Sequence, residues 1–213
     1  MTHRKDVILL FTTRIIRLFC YGFLSVVLAL YLAETGLTEK MIGLLFTLTL
    51  AGDAGITLWL TTSADRFGRK RTLLIGGLLM LGAGIVFILT NNVIVLMAAA
   101  IIGVISPSGN EIGPFLSVEQ AGLSSLIENK KRTQVFAWYN LVGSFATATG
   151  ALAGGWLAQG LQSTGLSALE AYRFILMGYA LGGLLLTILF LNLSPAIEVT
   201  HTSTADEPKK VLG

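Results

Sequence analysis

The stretch Asp65–Arg71, DRFGRKR, places four cationic side chains and one carboxylate in seven consecutive positions. Long apolar runs lie on both sides of it, at residues 41–62 and 72–89. Each run is about the length that crosses a bilayer as a helix, roughly 17 to 25 residues. A short basic loop between two spans stays on the cytoplasmic side, because positively charged loops resist translocation. The stretch therefore predicts a membrane protein and orients all of its spans.

The composition agrees with an integral membrane protein. Of the 213 residues, 54% are hydrophobic and only 13% are charged, whereas soluble domains carry roughly 25% charged residues. The net charge of +3 does not indicate a nucleic-acid partner, because the basic residues lie in short links between apolar runs. Cys20 is the only cysteine and lies in an apolar run, which excludes disulfides within the chain and cysteine-rich metal sites.

Six membrane-spanning helices are predicted from the apolar runs, together with an amphipathic surface helix at residues 117–129 and a polar tail at residues 194–213. The spans are residues 15–32, 41–62, 72–89, 94–115, 135–157 and 174–193. In this arrangement both termini lie in the cytoplasm, and of the loop cations only Lys40 and Arg173 fall on the opposite side. This asymmetry matches the positive-inside pattern. The plasma membrane, or a bacterial inner membrane, is the expected location.

Part of the basic loop, Asp65-Arg66-x-Gly68-Arg69-Lys70, resembles the signature between helices 2 and 3 of the major facilitator superfamily. The glycine that usually opens this signature is replaced by Thr61. The resemblance implies an all-helical fold in which each six-helix bundle contains two inverted three-helix repeats. Residues 1–193 would then form the amino-terminal half of the fold, and the tail would begin the central linker. A basic loop that only orients the spans is the alternative interpretation.

The same resemblance implies a gate formed by Asp65, Arg66, Gly68, Arg69 and Lys70. The Asp65 carboxylate would bind basic loop residues and the amino end of a helix in the other half, where unpaired N–H groups and a partial positive charge favour it. Gly68 would allow the tight turn that brings Arg69 back toward Asp65.

Two further signatures of the family match only in part. Many members have an arginine in the fourth span, four residues before a glycine, where this chain has Ala99 before Gly103. Residues 150–155, GALAGG, are similar to the GPxxGG signature of proton-coupled antiporters, with Ala151 in place of the proline. The alternative is a face of small residues that lets two helices pack closely.

Ionisable residues inside the spans are candidates for translocation or coupling, because a charge at the bilayer centre costs on the order of 2.5 to 3.5 kcal/mol. Asp53 lies near mid-depth of the second span and has either such a role or a structural one. Arg17 and Glu111 lie at similar depths in the first and fourth spans and can pair, unless both reach the headgroups. Asn110 and Tyr21 can face the same cavity, although helix packing explains Tyr21 equally well.

The other polar residues indicate no catalytic chemistry. Arg14 is interpreted as an anchor at the membrane interface, and Glu119 and Gln120 as the solvated face of the surface helix. The two histidines, His3 and His201, lie in the terminal segments and form no metal pair. No phosphate-binding glycine loop precedes a lysine. We therefore expect a protein that is not an enzyme and has no metal or cofactor.

The resemblance implies a secondary transporter that moves a small organic solute by alternating access between two six-helix bundles. An ion or substrate gradient would supply the energy, and a proton is the candidate coupling ion. The expected partners are the lipid bilayer, the solute, and a carboxy-terminal six-helix half or a second copy of this chain. The competing interpretation is a non-transporting six-helix membrane assembly or regulatory protein.

Overall fold

A computed structural model describes residues 2–111 and 113–198, with side chains at residues 4–62, 67–111 and 113–198. The described residues form α-helices and short 3-10 helices and contain no β-strand. The α-helices are α1 (Thr2–Glu34), α2 (Glu39–Phe67), α3 (Arg69–Leu89), α4 (Val93–Ile102), α5 (Phe115–Leu126), α6 (Arg132–Ser163) and α7 (Ala168–Leu191), and the 3-10 helices are Asn129–Lys131 and Pro195–Ile197. The all-helical class predicted from the sequence is confirmed.

Five helices within the described ranges, α1, α2, α3, α6 and α7, are long and apolar enough to cross a membrane. They overlap every predicted span except the fourth. Most begin earlier or end later than the apolar run that predicted them. Helix α1, for example, begins at Thr2 rather than at residue 15. Hydropathy marks only the hydrocarbon-embedded part of a helix, whereas the backbone hydrogen bonds continue into the interface.

The predicted fourth span, residues 94–115, is not one continuous helix. It is helical over Val93–Ile102, is not helical at the described residues 103–111, 113 and 114, and resumes as α5. We call residues 103–114 the break segment. Helix α5 covers most of the predicted surface helix, but five of its residues, Phe115, Val118, Glu119, Gly122 and Leu123, are buried. Two half-helices joined by the break segment therefore take the place of one span and a surface helix.

Proline and glycine account for the break. Pro107 and Pro114 have no backbone N–H to donate and cannot continue a helical ladder. Gly109 and Gly113 have φ angles of +72° and +76°, a region that glycine adopts without steric cost. Single prolines and glycines are tolerated within continuous membrane helices, because neighbouring helices can satisfy the freed backbone groups. Their clustering within eight positions instead ends the helix.

Helix α1 lies at the centre of the bundle and packs against α6, α7, α5 and α2. Its Leu24 and Leu28 are fully buried. By contrast, α2 and α6 lie at the periphery and expose large apolar side chains. These include Leu44, Leu58 and Trp59 on α2, and Phe145, Leu152 and Trp156 on α6. Apolar surface of this extent requires lipid or another helix bundle to cover it.

Helices α1 and α6 run in the same direction and approach closely at glycines. A Cβ atom on Gly150 would lie 2.1 Å from the carbonyl oxygen of Phe19, and one on Gly154 would lie 2.3 Å from that of Phe23. These are backbone oxygens, so they can move only if the helix moves. The GALAGG segment is therefore a helix-packing face in this structure, which is the second of its two interpretations from the sequence.

Gly150→Ala is expected to destabilise the bundle by roughly 1 to 3 kcal/mol, the usual range for overpacking a well-packed core. Gly155→Ala is the matched control, because the atom nearest its added Cβ would be Val26 Cγ1 at 3.8 Å, an ordinary contact. The measurement is the free energy of unfolding of each purified variant in mixed micelles titrated with SDS. Equal stability of the two variants would contradict the close packing of α1 on α6.

Candidate functional site

Two arginines of α1 are buried beside the break segment. Arg17 lies fifteen residues beyond Thr2 in a helix of 33 residues, or about 22 Å along its axis at 1.5 Å per residue. Arg17 is fully buried and Arg14 is only 6% exposed. A buried charge is tolerated only when it is paired and hydrogen-bonded. The partners of these two guanidinium groups define the candidate site.

Arg17 forms a two-pronged ion pair with Glu119 of α5. Its Nη1 lies 2.7 Å from Glu119 Oε1, and its Nη2 lies 2.8 Å from Oε2. Arg17 also donates through Nε to Glu111 Oε1 at 3.2 Å, and its Nη2 contacts the same oxygen. The predicted Arg17–Glu111 pair is therefore present, and Glu119 is an additional partner that was not predicted from the sequence.

Glu119 is fully buried, which contradicts its interpretation as part of a solvated face. Thr13 Oγ1 donates to its Oε1 at 3.2 Å, and the hydroxyl of Tyr139 donates to its Oε2. A signal for this burial was available in the sequence. Glu119 lies four residues after Phe115 and four before Leu123, and this spacing places all three on one helix face. That face packs into the bundle.

Arg14 turns into the bundle and does not act as the predicted interfacial anchor. Its Nε donates to the carbonyl oxygen of Tyr139 at 2.9 Å, and its Nη2 donates to Asn140 Oδ1 at 3.2 Å. Its Nη1 lies 2.7 Å from Glu111 Oε2, an ion-pair contact whose angles fall outside hydrogen-bond geometry. The guanidinium carbon also lies 4.3 Å from the centre of the Tyr139 ring. These partners come from α6 and the break segment. The Arg14 guanidinium group is therefore paired inside the bundle and does not need to reach the membrane interface.

The four charged side chains balance one another. Arg14 and Arg17 carry two positive charges, Glu111 and Glu119 carry two negative charges, and each guanidinium nitrogen lies against an acceptor. We call these four residues the ion network. Removing one member would leave an uncompensated charge among side chains that are at most 15% exposed, the costly case for buried ion pairs.

Asp53 of α2 binds the break segment from the opposite side. Its Oδ1 accepts the backbone N–H of Gly113 at 2.6 Å and the hydroxyl of Thr57 at 3.3 Å. Gly113 lies just before α5, so the carboxylate is at the positive end of this half-helix. The structure thus supports a structural contact for Asp53. A coupling or transport role stays a prediction.

Two cavities meet at Glu111. We call the first the α6 cavity: about 380 Å³, lined by Arg14, Leu18, Gly109, Asn110, Glu111, Ser144, Thr147 and Ala148. We call the second the α2 cavity: about 460 Å³, lined by Asp53, Ala54, Thr57, Leu58, Glu111, Gly113, Leu116 and Ser117. Both volumes fall in the range of small-molecule sites, roughly 300 to 1,000 Å³. Glu111 is the only charged side chain shared by these two linings.

Two other predicted site residues lie apart from the ion network. Asn110 lines the α6 cavity and donates to Ser108 Oγ at 3.1 Å. Tyr21 is fully buried, and its ring stacks with that of Tyr179, with 6.5 Å between the ring centres. The Tyr21 hydroxyl has no hydrogen-bond partner among the described residues. Tyr21 lines neither cavity, so the packing interpretation describes its position.

The start of α3 is tied to the segment that follows α7. The Glu198 carboxylate accepts the backbone N–H of Arg69 at 2.6 Å and that of Lys70 at 3.1 Å. In the opposite direction, Lys70 Nζ donates to the carbonyl oxygens of Leu191 at 2.8 Å and Leu193 at 2.7 Å. Each chain segment therefore satisfies a helix end of the other, which holds α3 against α7.

The predicted gating residues are only partly described. Gly68 has a φ angle of +95°, the region that favours glycine in a tight turn. Arg69 Nη1 donates to the carbonyl oxygen of Ile197 at 3.1 Å. The side chains of Asp65 and Arg66 lie outside the described residues, so the gate stays a prediction. Within the described ranges, no group of three or more His, Cys, Asp or Glu side chains is placed to hold a metal ion.

The family profile described as Major Facilitator Superfamily matches residues 10–213. The uncharacterized membrane protein YJR124C of Saccharomyces cerevisiae is 38% identical over 214 residues. The alignment covers 98% of this chain and 48% of the yeast protein, so the chain spans about half the length of this curated relative.

Proposed function

The chain belongs to the major facilitator superfamily, and we propose that it is the amino-terminal six-helix half of a transporter that moves a small organic solute by alternating access. The observation that carries this proposal is the buried ion network between two cavities at a broken helix. In many secondary transporters, the solute and coupling-ion sites lie at mid-depth beside discontinuous helices. Family membership supports transport rather than an enzymatic reaction.

Glu111 is the moving element of the proposed mechanism. It lies on the break segment rather than on a helix, and its two carboxylate oxygens contact different arginines. Arg17 and Glu119 form the fixed part, because each is fully buried and their two-pronged pair joins α1 to α5. If Glu111 leaves Arg14, the α6 cavity changes shape while Arg17 stays paired with Glu119. Opening then does not leave Arg17 as an isolated buried charge.

The full transporter needs a second six-helix bundle, supplied by a carboxy-terminal half or by a second copy of this chain. The apolar side chains exposed on α2 and α6 support such a partner. Asp65 would bind the amino end of a helix in that bundle and close one side of the pathway. A proton gradient is the candidate energy source, and the plasma membrane, with both termini in the cytoplasm, is the proposed location.

The proposal is tested by the accessibility of the α6 cavity from both sides of the membrane. Ser144 lines this cavity and is exposed. In the full-length protein with Cys20 replaced by alanine, Ser144→Cys is expected to react with an impermeant maleimide both in intact cells and in inside-out vesicles. Each conformation of an alternating-access transporter exposes the cavity to one side, and exchange between conformations exposes it to both.

Asn92→Cys and Lys131→Cys are the controls, because both residues are exposed and lie at opposite ends of the bundle. Asn92→Cys should react only in intact cells, and Lys131→Cys only in inside-out vesicles. If Ser144→Cys reacts from one side alone, whichever substrates are added, the non-transporting assembly is the better interpretation.

A further inference from the structure

We propose that the α2 cavity binds a small organic cation through the carboxylate of Asp53. This inference rests on the proposed transport function and names the class of solute that its site would take. The cation would have an alkylammonium or quaternary ammonium group beside Asp53 and an apolar body against the cavity wall.

Among the residues that the structure describes, Asp53 has no cation in ion-pair contact. Both of its hydrogen bonds end on Oδ1, from the N–H of Gly113 and the hydroxyl of Thr57. Its Oδ2 has no partner among the described residues, and no Lys, Arg or His of these residues lies within 4.0 Å of the carboxylate. A charge at this depth is unfavourable unless something compensates it. A bound cation would do so.

The arginines near the cavity do not favour an anion. Every guanidinium nitrogen of Arg17 already contacts Glu111 or Glu119. Arg14 is used by Glu111, by the Tyr139 carbonyl and by Asn140. The ion network is therefore neutral, and Asp53 gives the site a net negative charge. An anionic solute would meet this charge, and neither Arg14 nor Arg17 has a guanidinium nitrogen left without an acceptor.

The walls of the α2 cavity fit the apolar part of such a cation. Ala54, Leu58 and Leu116 supply aliphatic surface, whereas Ser117 supplies a hydroxyl group. The Glu111 carboxylate also borders the cavity but is occupied by both arginines. One free carboxylate oxygen with aliphatic walls favours a monovalent organic cation over a metal ion, which prefers several oxygen ligands.

The test compares cations with neutral molecules of the same shape. The probes are choline against 3,3-dimethylbutan-1-ol, and benzyltrimethylammonium against neopentylbenzene, each titrated into the full-length protein in lipid nanodiscs. At least one cation is expected to bind about tenfold tighter than its neutral isostere. Asp53→Asn should weaken the binding of that cation by about 10 to 100-fold, the range for a lost charged contact. The affinity for the neutral isostere should not change.

Asp53→Asn suits this test because its amide oxygen can still accept the N–H of Gly113, so the break segment keeps its contact. Glu128→Gln is the matched control: it removes the same charge at a side chain that is 75% exposed, and cation binding should not change. The inference is overturned if neither cation binds more tightly than its neutral isostere. It is also overturned if the Asp53→Asn variant binds the cations as tightly as the unmodified protein does.

The outcomes also separate this inference from the proposed function. If Ser144→Cys is labelled from both sides but the protein does not prefer cations over their isosteres, the transport proposal stands and the solute belongs to a different class. If Asp53→Asn abolishes only the response to a pH gradient, Asp53 is a proton site, and the assignment of an organic cation is wrong.

Discussion

Arg17→Met is expected to lower the free energy of unfolding by about 3 to 5 kcal/mol, the range for removing one partner of a buried ion pair. Methionine can fill the apolar part of the space but cannot satisfy two carboxylates. Glu111 would still form its ion pair with Arg14, whereas Glu119 would accept hydrogen bonds only from the hydroxyls of Thr13 and Tyr139. A fully buried carboxylate would then lack any cation, which is the physical origin of the large effect.

The measurement is equilibrium unfolding of the purified variants in mixed micelles, with two comparisons. Arg17→Met combined with Glu119→Met removes one charge of each sign and should recover much of the lost stability, because the Arg14–Glu111 pair stays balanced. Lys130→Met is the matched control, since this cation lies on an exposed side chain outside the ion network and its removal should change stability by less than about 0.5 kcal/mol. A double variant less stable than Arg17→Met would contradict charge balance as the cause.

The sequence predicted the spans well where one apolar run forms one helix. This holds for α1, α2, α3, α6 and α7. It failed at residues 94–115, because average hydropathy does not register backbone geometry. The positive φ angles of Gly109 and Gly113 depend on the turn that these residues make. A sequence shows only that glycine and proline are present, and both occur in continuous membrane helices as well.

The ion network was predictable from the sequence only in part. Depth along the helices was sufficient to suggest the Arg17–Glu111 pair, since both positions follow from counting residues. Glu119 was missed because a helix rich in polar residues was assigned to the surface, although its spacing from Phe115 and Leu123 indicated a buried face. The contact of Arg14 with Tyr139 requires knowing that α6 packs beside α1 in the same direction, which no local pattern shows.

The connection after α7 begins with contacts to the bundle. Of the polar tail predicted at residues 194–213, the structure describes only residues 194–198, where Pro195–Ile197 forms a 3-10 helix and Ile197 is buried. The linker prediction for the rest of the tail lies outside the described residues. The adjoining Ser194 donates its backbone N–H to Asp6 at 3.0 Å. The Ser194–Asp6 contact joins residues that are 188 positions apart in the sequence, so it depends on the tertiary fold.

Glu198→Ala is expected to release the start of α3. The first N–H groups of a helix have no partner within it, and Gly68 at this end has no side chain to supply one. Glu198 fills this role from the far end of the chain by accepting the N–H groups of Arg69 and Lys70. A carboxylate is also favoured at this positive end of the helix. We expect a loss of about 1 to 2 kcal/mol for this partly exposed contact.

Hydrogen exchange measured by mass spectrometry tests this contact directly, because the two amides are the donors. Their exchange should accelerate by about tenfold in Glu198→Ala, as follows from a loss near 1.4 kcal/mol. Glu128→Ala removes an exposed carboxylate whose recorded ion-pair partner is Lys131 and should leave these amides unchanged. Unaltered exchange in Glu198→Ala would mean that water replaces the carboxylate without cost. If exchange accelerates, the segment after α7 fixes the start of α3, and any motion of this helix end in the proposed transport cycle must first break or carry this contact.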